Sequence, residues 1–198
     1  MRHCSIVGLP GSGKTVFAVK VYKRCERAIF INLGHEDLGC TNELYWVGEK
    51  TVQSGQEAVQ AVLSGERCVW LIPEISEVRP FIAELIKYQR AQETKYPISI
   101  FVDEAHLLVP NGSINLAACI KDEEEPDPWT LLATNGRRWN LQAVWITQRP
   151  QLLDPTCYKT AVNKFFFRLD PADINYFKRM GVTISEIKEE FGFDLRVS

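Results

Sequence analysis

Short, wholly apolar runs alternate along the chain with segments whose apolar positions recur every three or four residues. Cys4 to Val7 is the first such run, and the pattern from Lys14 to Arg24 reads as the helix after it. Ala28 to Asn32 is a second strand and Tyr45 to Val47 a shorter one. A helix over Gln56 to Leu63 closes at Ser64-Gly65, and Cys68 to Ile72 is the next strand. From Pro80 to Ala91 the spacing of Phe81, Ile82, Leu85 and Ile86 predicts an amphipathic helix. Ile98 to Val102, Ala143 to Ile146 and Asn163 to Leu169 are further strands, and helices are expected at Pro171 to Arg179 and Thr183 to Phe191. All-apolar strands in β-α alternation predict an α/β fold, a mostly parallel sheet with helices on both faces. The stretch from Val109 to Pro128 interrupts the pattern, but the alternation resumes after it, so it reads as a surface excursion within one domain spanning 1–198.

Composition narrows the function classes. The chain has 198 residues, 45% hydrophobic and 24% charged, enough for a substantial core without metal or disulfide staples. Its formal net charge of −2 excludes a protein that coats nucleic acid by bulk positive charge. Cys4, Cys25, Cys40, Cys68, Cys119 and Cys157 are scattered without a C-x-x-C pair, the pattern of reduced structural thiols. No apolar stretch is long enough for a membrane span, and little precedes the first glycine-rich loop, so a cytoplasmic protein is expected.

Gly8-Leu9-Pro10-Gly11-Ser12-Gly13-Lys14-Thr15 matches G-x-x-x-x-G-K-[ST] at every position, between a strand and a helix. Gly8, Gly11 and Gly13 are expected at positive φ, turning backbone N–H groups toward an anion, and the helix adds its positive end. Lys14 is placed to reach the β- and γ-phosphates, and the Thr15 hydroxyl to ligate Mg²⁺. The expected nucleotide-binding set is Gly8, Pro10, Gly11, Ser12, Gly13, Lys14, Thr15 and Val16, with ATP and Mg²⁺ as cofactors.

Two further strand ends carry polar chemistry. Ile98 to Val102 runs into Asp103-Glu104-Ala105-His106. Asp103 fits the carboxylate that Mg²⁺ needs, and Glu104, leaving the strand, is placed to orient and polarise a water for in-line attack. The strand ending in Thr147-Gln148-Arg149-Pro150 is expected between the P-loop and acidic strands, with Gln148 the first γ-phosphate sensor candidate and Thr147 the second. Upstream, Arg137 and Arg138 on the Asn135 to Asn140 turn are candidates for a cation supplied to a neighbouring subunit, with Arg149 the alternative.

Taken in order, GLPGSGKT, IFVDEAH, NGRRWNLQAVWITQRPQLL and NKFFFRL followed by DPADINYF resemble the HerA/FtsK superfamily of DNA-translocating ATPases. The resemblance implies a RecA-like (ASCE) P-loop NTPase fold, a homo-oligomeric ring, expected to be a hexamer, an arginine finger acting in trans from Arg137 or Arg138, and glutamine sensing at Gln148. The P-loop strand starts near residue 1 and little follows the last strand, which is similar to the genome-packaging ATPases of membrane-containing, double-jelly-roll viruses. That likeness implies an ATPase that translocates double-stranded DNA in the host cytoplasm or with the virion, docking on a capsid vertex or a membrane-associated protein. A cellular HerA-like translocase or a Zot-like assembly ATPase is the alternative, and a small-molecule P-loop kinase a more distant one. The expected DNA-facing residues are Asn111, Ser113, Asn115 and Lys121 after the acidic strand, and Lys87, Arg90 and Lys95 elsewhere. The acidic run Asp122 to Asp127 is expected to face away from DNA or toward another partner.

Overall fold

Alternate side chains of a strand point to opposite faces of its sheet, so a wholly apolar strand needs cover on both. The computed structural model describes residues 2–33, 46–116 and 126–182 and shows that cover. In chain order the elements are β1 (Cys4–Val7), α1 (Lys14–Tyr22), β2 (Ala28–Asn32), β3 (Lys50–Val52), α2 (Gly55–Leu63), β4 (Arg67–Leu71), α3 (Ile75–Ala91) and β5 (Ile98–Val102). They continue with α4 (Pro128–Asn135), β6 (Leu141–Thr147), α5 (Pro155–Thr160), β7 (Asn163–Phe166) and α6 (Pro171–Arg179). Seven strands form one sheet in the order β3-β4-β2-β5-β6-β1-β7, with every pairing parallel.

The strand period of two divides the core. Ile29, Ile31, Ile98, Ile100, Val102, Leu141, Ala143 and Trp145 face α2, α3 and α4. On the other face, Phe30, Phe101, Val144 and Ile146 meet Phe17, Ala18 and Tyr22 of α1. There Phe30 and Phe101 stack at 5.6 Å, and Tyr22 stands edge-on to both rings at 5.8 and 5.7 Å, an arrangement aromatic quadrupoles favour. Four of the cysteines, Cys4, Cys25, Cys68 and Cys157, are free thiols.

Several boundaries differ from the expected ones. Trp46 and Val47 form a turn, not a strand, and Trp46 packs on Phe30 at 4.7 Å; Tyr45 lies outside the described residues. The edge strand β3 begins at Lys50 instead. Helix α3 starts at Ile75, five residues before the expected start, and carries Pro80 inside it. Pro at that position removes only one ladder donor, and the turn below it is held by Glu77 N–H to Glu74 O at 2.9 Å. Helix α5 was not expected at all, although Asp154 caps it through Thr156 N–H at 2.9 Å. β4 ends one residue early because Ile72 turns to φ 47, and β6 begins at Leu141. β7 ends at Phe166, although Phe167 N–H still reaches Val7 O at 2.7 Å. The expected helix from Thr183 to Phe191 lies outside the described residues.

Candidate nucleotide site

In parallel sheets covered by helices, ligands bind beyond the carboxyl ends of the strands. That edge holds the loop after β1, the turn after β5 and the turn after β6. Register brings them together: Val7 lies beside Thr147, and Val102 beside Trp145. β6 thus separates the P-loop strand from the acidic strand, as expected for the sensor strand.

The P-loop is gripped where it leaves β1. Gly8 N–H points to Thr147 O at 3.4 Å, and Leu9 N–H donates to Arg168 O at 2.8 Å. Gly11 and Gly13 take φ values of 69° and 93°, as their expected role requires. Gly8 does not, and its need for glycine is one of space. A Cβ there would stand 2.6 Å from Phe167 Cβ and 2.9 Å from Ser12 Oγ. Gly8→Ala must therefore push the loop off β7. Overpacking of this kind costs about 1–3 kcal/mol, and we expect Gly8→Ala to weaken binding of a non-hydrolysable ATP analogue by about tenfold or more. Calorimetric titration checks this; affinity equal to the parent protein's would contradict it.

Gly13 caps α1, whose first residues are Lys14 and Thr15. Lys14 is buried, and its Nζ donates to Leu9 O at 2.8 Å, so the ammonium lies folded over the loop that would cradle the phosphates. Burial lowers its pKa, while Asp103 and Glu104 nearby raise it. Thr15 Oγ1 donates to Asp103 Oδ2 at 3.3 Å, linking the loop to the acidic strand. Asp103 Oδ1 accepts Glu104 N–H at 3.0 Å. Burial pushes the Asp103 carboxyl above its ordinary range, against the Glu104 backbone, Lys14 and Thr15. A hydroxyl and a buried carboxylate in contact fit a hard divalent cation, whose charge would restore the ionised Asp103.

Glu104 follows in the left-handed region, φ 50 and ψ 44, a strained conformation for a residue with a Cβ. Its pKa is raised to about 7, first by burial and then by Asp103; Lys14, the Gln148 backbone and Arg149 pull the other way. Gln148 stands just past β6, half-buried, and Arg149 is exposed beside it. His106, to which no motif in the sequence gives a role, is buried here against Glu104 and Thr147.

Arg137 and Arg138 lie elsewhere. They occupy a 3₁₀ turn immediately before β6, at the opposite edge of the sheet, and both are exposed. Lys87, Arg90 and Lys95 share that edge: Arg90 lies over the Trp139 ring at 5.6 Å, and Asn140 Nδ2 donates to Lys95 O at 2.7 Å. Asn111, Ser113 and Asn115 sit at the nucleotide edge, in the loop that buried Asp154 holds through Gly112 and Ile114 N–H. The two sets of expected DNA-facing residues are therefore at opposite edges. Lys121, and Asp122 to Glu125 of the acidic run, lie outside the described residues. Asp127 caps α4 through Trp129 N–H and pairs with Arg79 at 3.3 Å.

No family model matches the chain, and no curated protein sequence does. Solved structures do. The genome packaging NTPase B204 from Sulfolobus turreted icosahedral virus 2, in complex with ATP-gammaS, superposes with a TM-score of 0.61 at 17% identity, covering 90% of this chain and 80% of that one. Its complex with AMPPCP gives 0.58 at 18% identity, with the same coverage. The cytoplasmic domain of EssC gives 0.53 at 14% identity, covering 98% of this chain but 38% of that one. With its parallel seven-stranded sheet and P-loop between β1 and α1, the chain has the RecA-like P-loop NTPase fold of these FtsK/HerA-type neighbours.

Proposed function

We propose that the chain is an ATP-hydrolysing motor that translocates double-stranded DNA, of the viral genome-packaging kind. The observation that carries the proposal is the convergence at one sheet edge of Lys14, the Thr15–Asp103 contact and Glu104, with Gln148 just past the strand between. A phosphate-binding module needs the loop alone. A raised, strained glutamate beside the Mg²⁺ carboxylate is what water activation adds.

In this reading the loop backbone from Gly8 to Val16 and Lys14 bind the phosphates, and Thr15 with Asp103 would hold Mg²⁺. When bound, the ion supplies charge neutralisation on the β- and γ-phosphates. Glu104 orients a water and draws its proton as the water attacks the γ-phosphorus in line; ADP and phosphate leave. Gln148, at the tip of β6, is placed to contact the γ-phosphate and report its loss.

Arg137 and Arg138 stand at the edge opposite the nucleotide site. For either to serve a nucleotide, copies must meet head to tail, the heterologous geometry that closes a ring. Such a hexameric ring needs no net positive charge to hold DNA, because one contact per subunit is repeated around the pore. The similarity to B204 supports packaging as the task; that the motor works in the host cytoplasm and docks on a capsid vertex or a membrane-associated protein is part of the same proposal.

Steady-state ATP hydrolysis with and without long double-stranded DNA, at several protein concentrations and two salt levels, tests the proposal. Stimulation by DNA that rises more steeply than linearly in protein and weakens with salt is expected. Hydrolysis indifferent to DNA and linear in protein would count against a translocating ring.

A further inference from the structure

Two oxygens converge on a single imidazole nitrogen. His106 sits in the 3₁₀ turn after β5 and is 8% exposed. Its Nδ1 lies 3.0 Å from Thr147 Oγ1 and 3.3 Å from Glu104 Oε2. Thr147 is the fully buried last residue of β6, and its Oγ1 also accepts Arg149 N–H at 3.0 Å. Glu104 Oε2 is buried and has no hydrogen-bond partner in the protein.

The chemistry of these atoms assigns the proton. When Glu104 is ionised, as water activation requires, a bare Nδ1 lone pair facing its oxygen would repel it, so Nδ1 then carries hydrogen and donates. A hydroxyl oxygen can accept two hydrogen bonds, one from Arg149 N–H and one from Nδ1–H. The orphaned carboxylate oxygen stands slightly farther off, competing for the same donor. An unsatisfied buried carboxylate oxygen is costly, and a small displacement of either partner moves the hydrogen bond between them. Gln148, whose backbone also stabilises the ionised Glu104, lies between Thr147 and Arg149 in the turn that sets this geometry.

We infer that His106 is a positioning residue that ties the Glu104 carboxylate to the tip of β6, so that a displacement at Gln148 reaches Glu104 through Thr147 and His106. The inference rests on the reading that Glu104 activates water and Gln148 senses the nucleotide. It gives His106 a task that neither the P-loop nor the acidic pair performs: making water activation conditional on the state of the sensor strand.

The test compares turnover with nucleotide affinity in the full chain. His106→Ala is expected to lower kcat about tenfold or more while the Kd for a non-hydrolysable ATP analogue stays within about twofold. His106→Asn sets an amide nitrogen near the Nδ1 position and should recover most of the lost rate. Thr147→Val should slow turnover as His106→Ala does, whereas Thr147→Ser, which keeps the hydroxyl, should lose less. The double variant His106→Ala/Thr147→Val should be no slower than the slower single one, because both cut one link. Unchanged kcat in His106→Ala, no rescue by Asn, or additive losses would each overturn the inference while leaving the ATPase reading intact. Parallel losses of kcat and affinity would assign His106 to packing alone. If His106→Ala does not fold, the Thr147→Val and Thr147→Ser pair and His106→Asn decide it in the same way. A parent protein that hydrolyses no ATP would instead remove the role of Glu104, and this inference with it.

Discussion

Glu104→Gln is expected to bind nucleotide as the parent protein does and to lose turnover by about 10²–10⁴-fold, the span typical of a positioned general base. The substitution keeps shape and removes only the negative charge and the proton acceptor. Asp103, Thr15 and Lys14, which would hold the phosphates and the metal, keep their contacts, since Asp103 uses the backbone N–H of Glu104 and not its side chain. Single-turnover hydrolysis measured beside analogue binding separates the two effects. Turnover within about tenfold of the parent's would remove Glu104 from the chemistry.

The same variant has a signature in stability. The Glu104 carboxyl is raised to about 7 from an ordinary value of 4.5, chiefly by burial. Between those values the native state holds a proton that the unfolded state has released, so stability falls as pH rises through the window. The loss is complete above the folded value. Glu104→Gln has no such proton to lose, so the nucleotide-free variant should melt higher than the parent at pH 8, and the gap should close toward pH 4.5. A scan of Tm against pH reads this directly. Equal melting temperatures at pH 8 would mean that the carboxylate is solvated and not held in the buried position seen beside His106.

Local signals carried most of this site, and contacts between distant elements carried what they missed. Lys14, Thr15, Asp103 and Glu104 were legible because each stands in a short motif at a strand end, and the parallel sheet brings strand ends together. The His106–Thr147 contact joins residues 41 positions apart, and no periodicity along the chain announces it. Gly8 is needed for space and not for positive φ, and no local signal shows it: its neighbour is Phe167, just past β7 and distant in sequence. Helix α5 could have been found. Asp154-Pro155 is the same opening as Asp127-Pro128 and Asp170-Pro171, an acidic cap followed by a proline that needs no donor. The Trp46 turn shows the opposite failure. Tyr-Trp-Val has the composition of a strand, but Trp46 is there to cover Phe30 and Tyr22, and the ladder is made by the more polar Lys50 to Val52, of which only Val52 is buried.

Arg137→Ala or Arg138→Ala is expected to lose about 10³–10⁵-fold in turnover, the worth of an arginine finger where one acts, with nucleotide affinity largely kept. Geometry demands that such a finger act on another copy. Both arginines precede β6, and the seven residues Leu141 to Thr147 separate them from the site. At about 3.3 Å per residue that is roughly 20 Å of extended chain, far beyond the reach of a guanidinium. A head-to-tail ring would cancel the distance by setting the Arg137–Arg138 turn of one copy on the nucleotide edge of the next. Mixing supplies the decisive measurement. Lys14→Ala lacks phosphate binding but keeps its arginines, and the arginine variant has the reverse defect. Equimolar mixtures should hydrolyse ATP faster than either protein alone, because some interfaces then pair an intact loop with an intact finger. Arg149, exposed beside Glu104 in the same chain, provides the contrast. If Arg149→Ala is the variant that fails, and mixing with Lys14→Ala does not restore it, the cation is supplied within the subunit, and Arg137 and Arg138 have no part in catalysis.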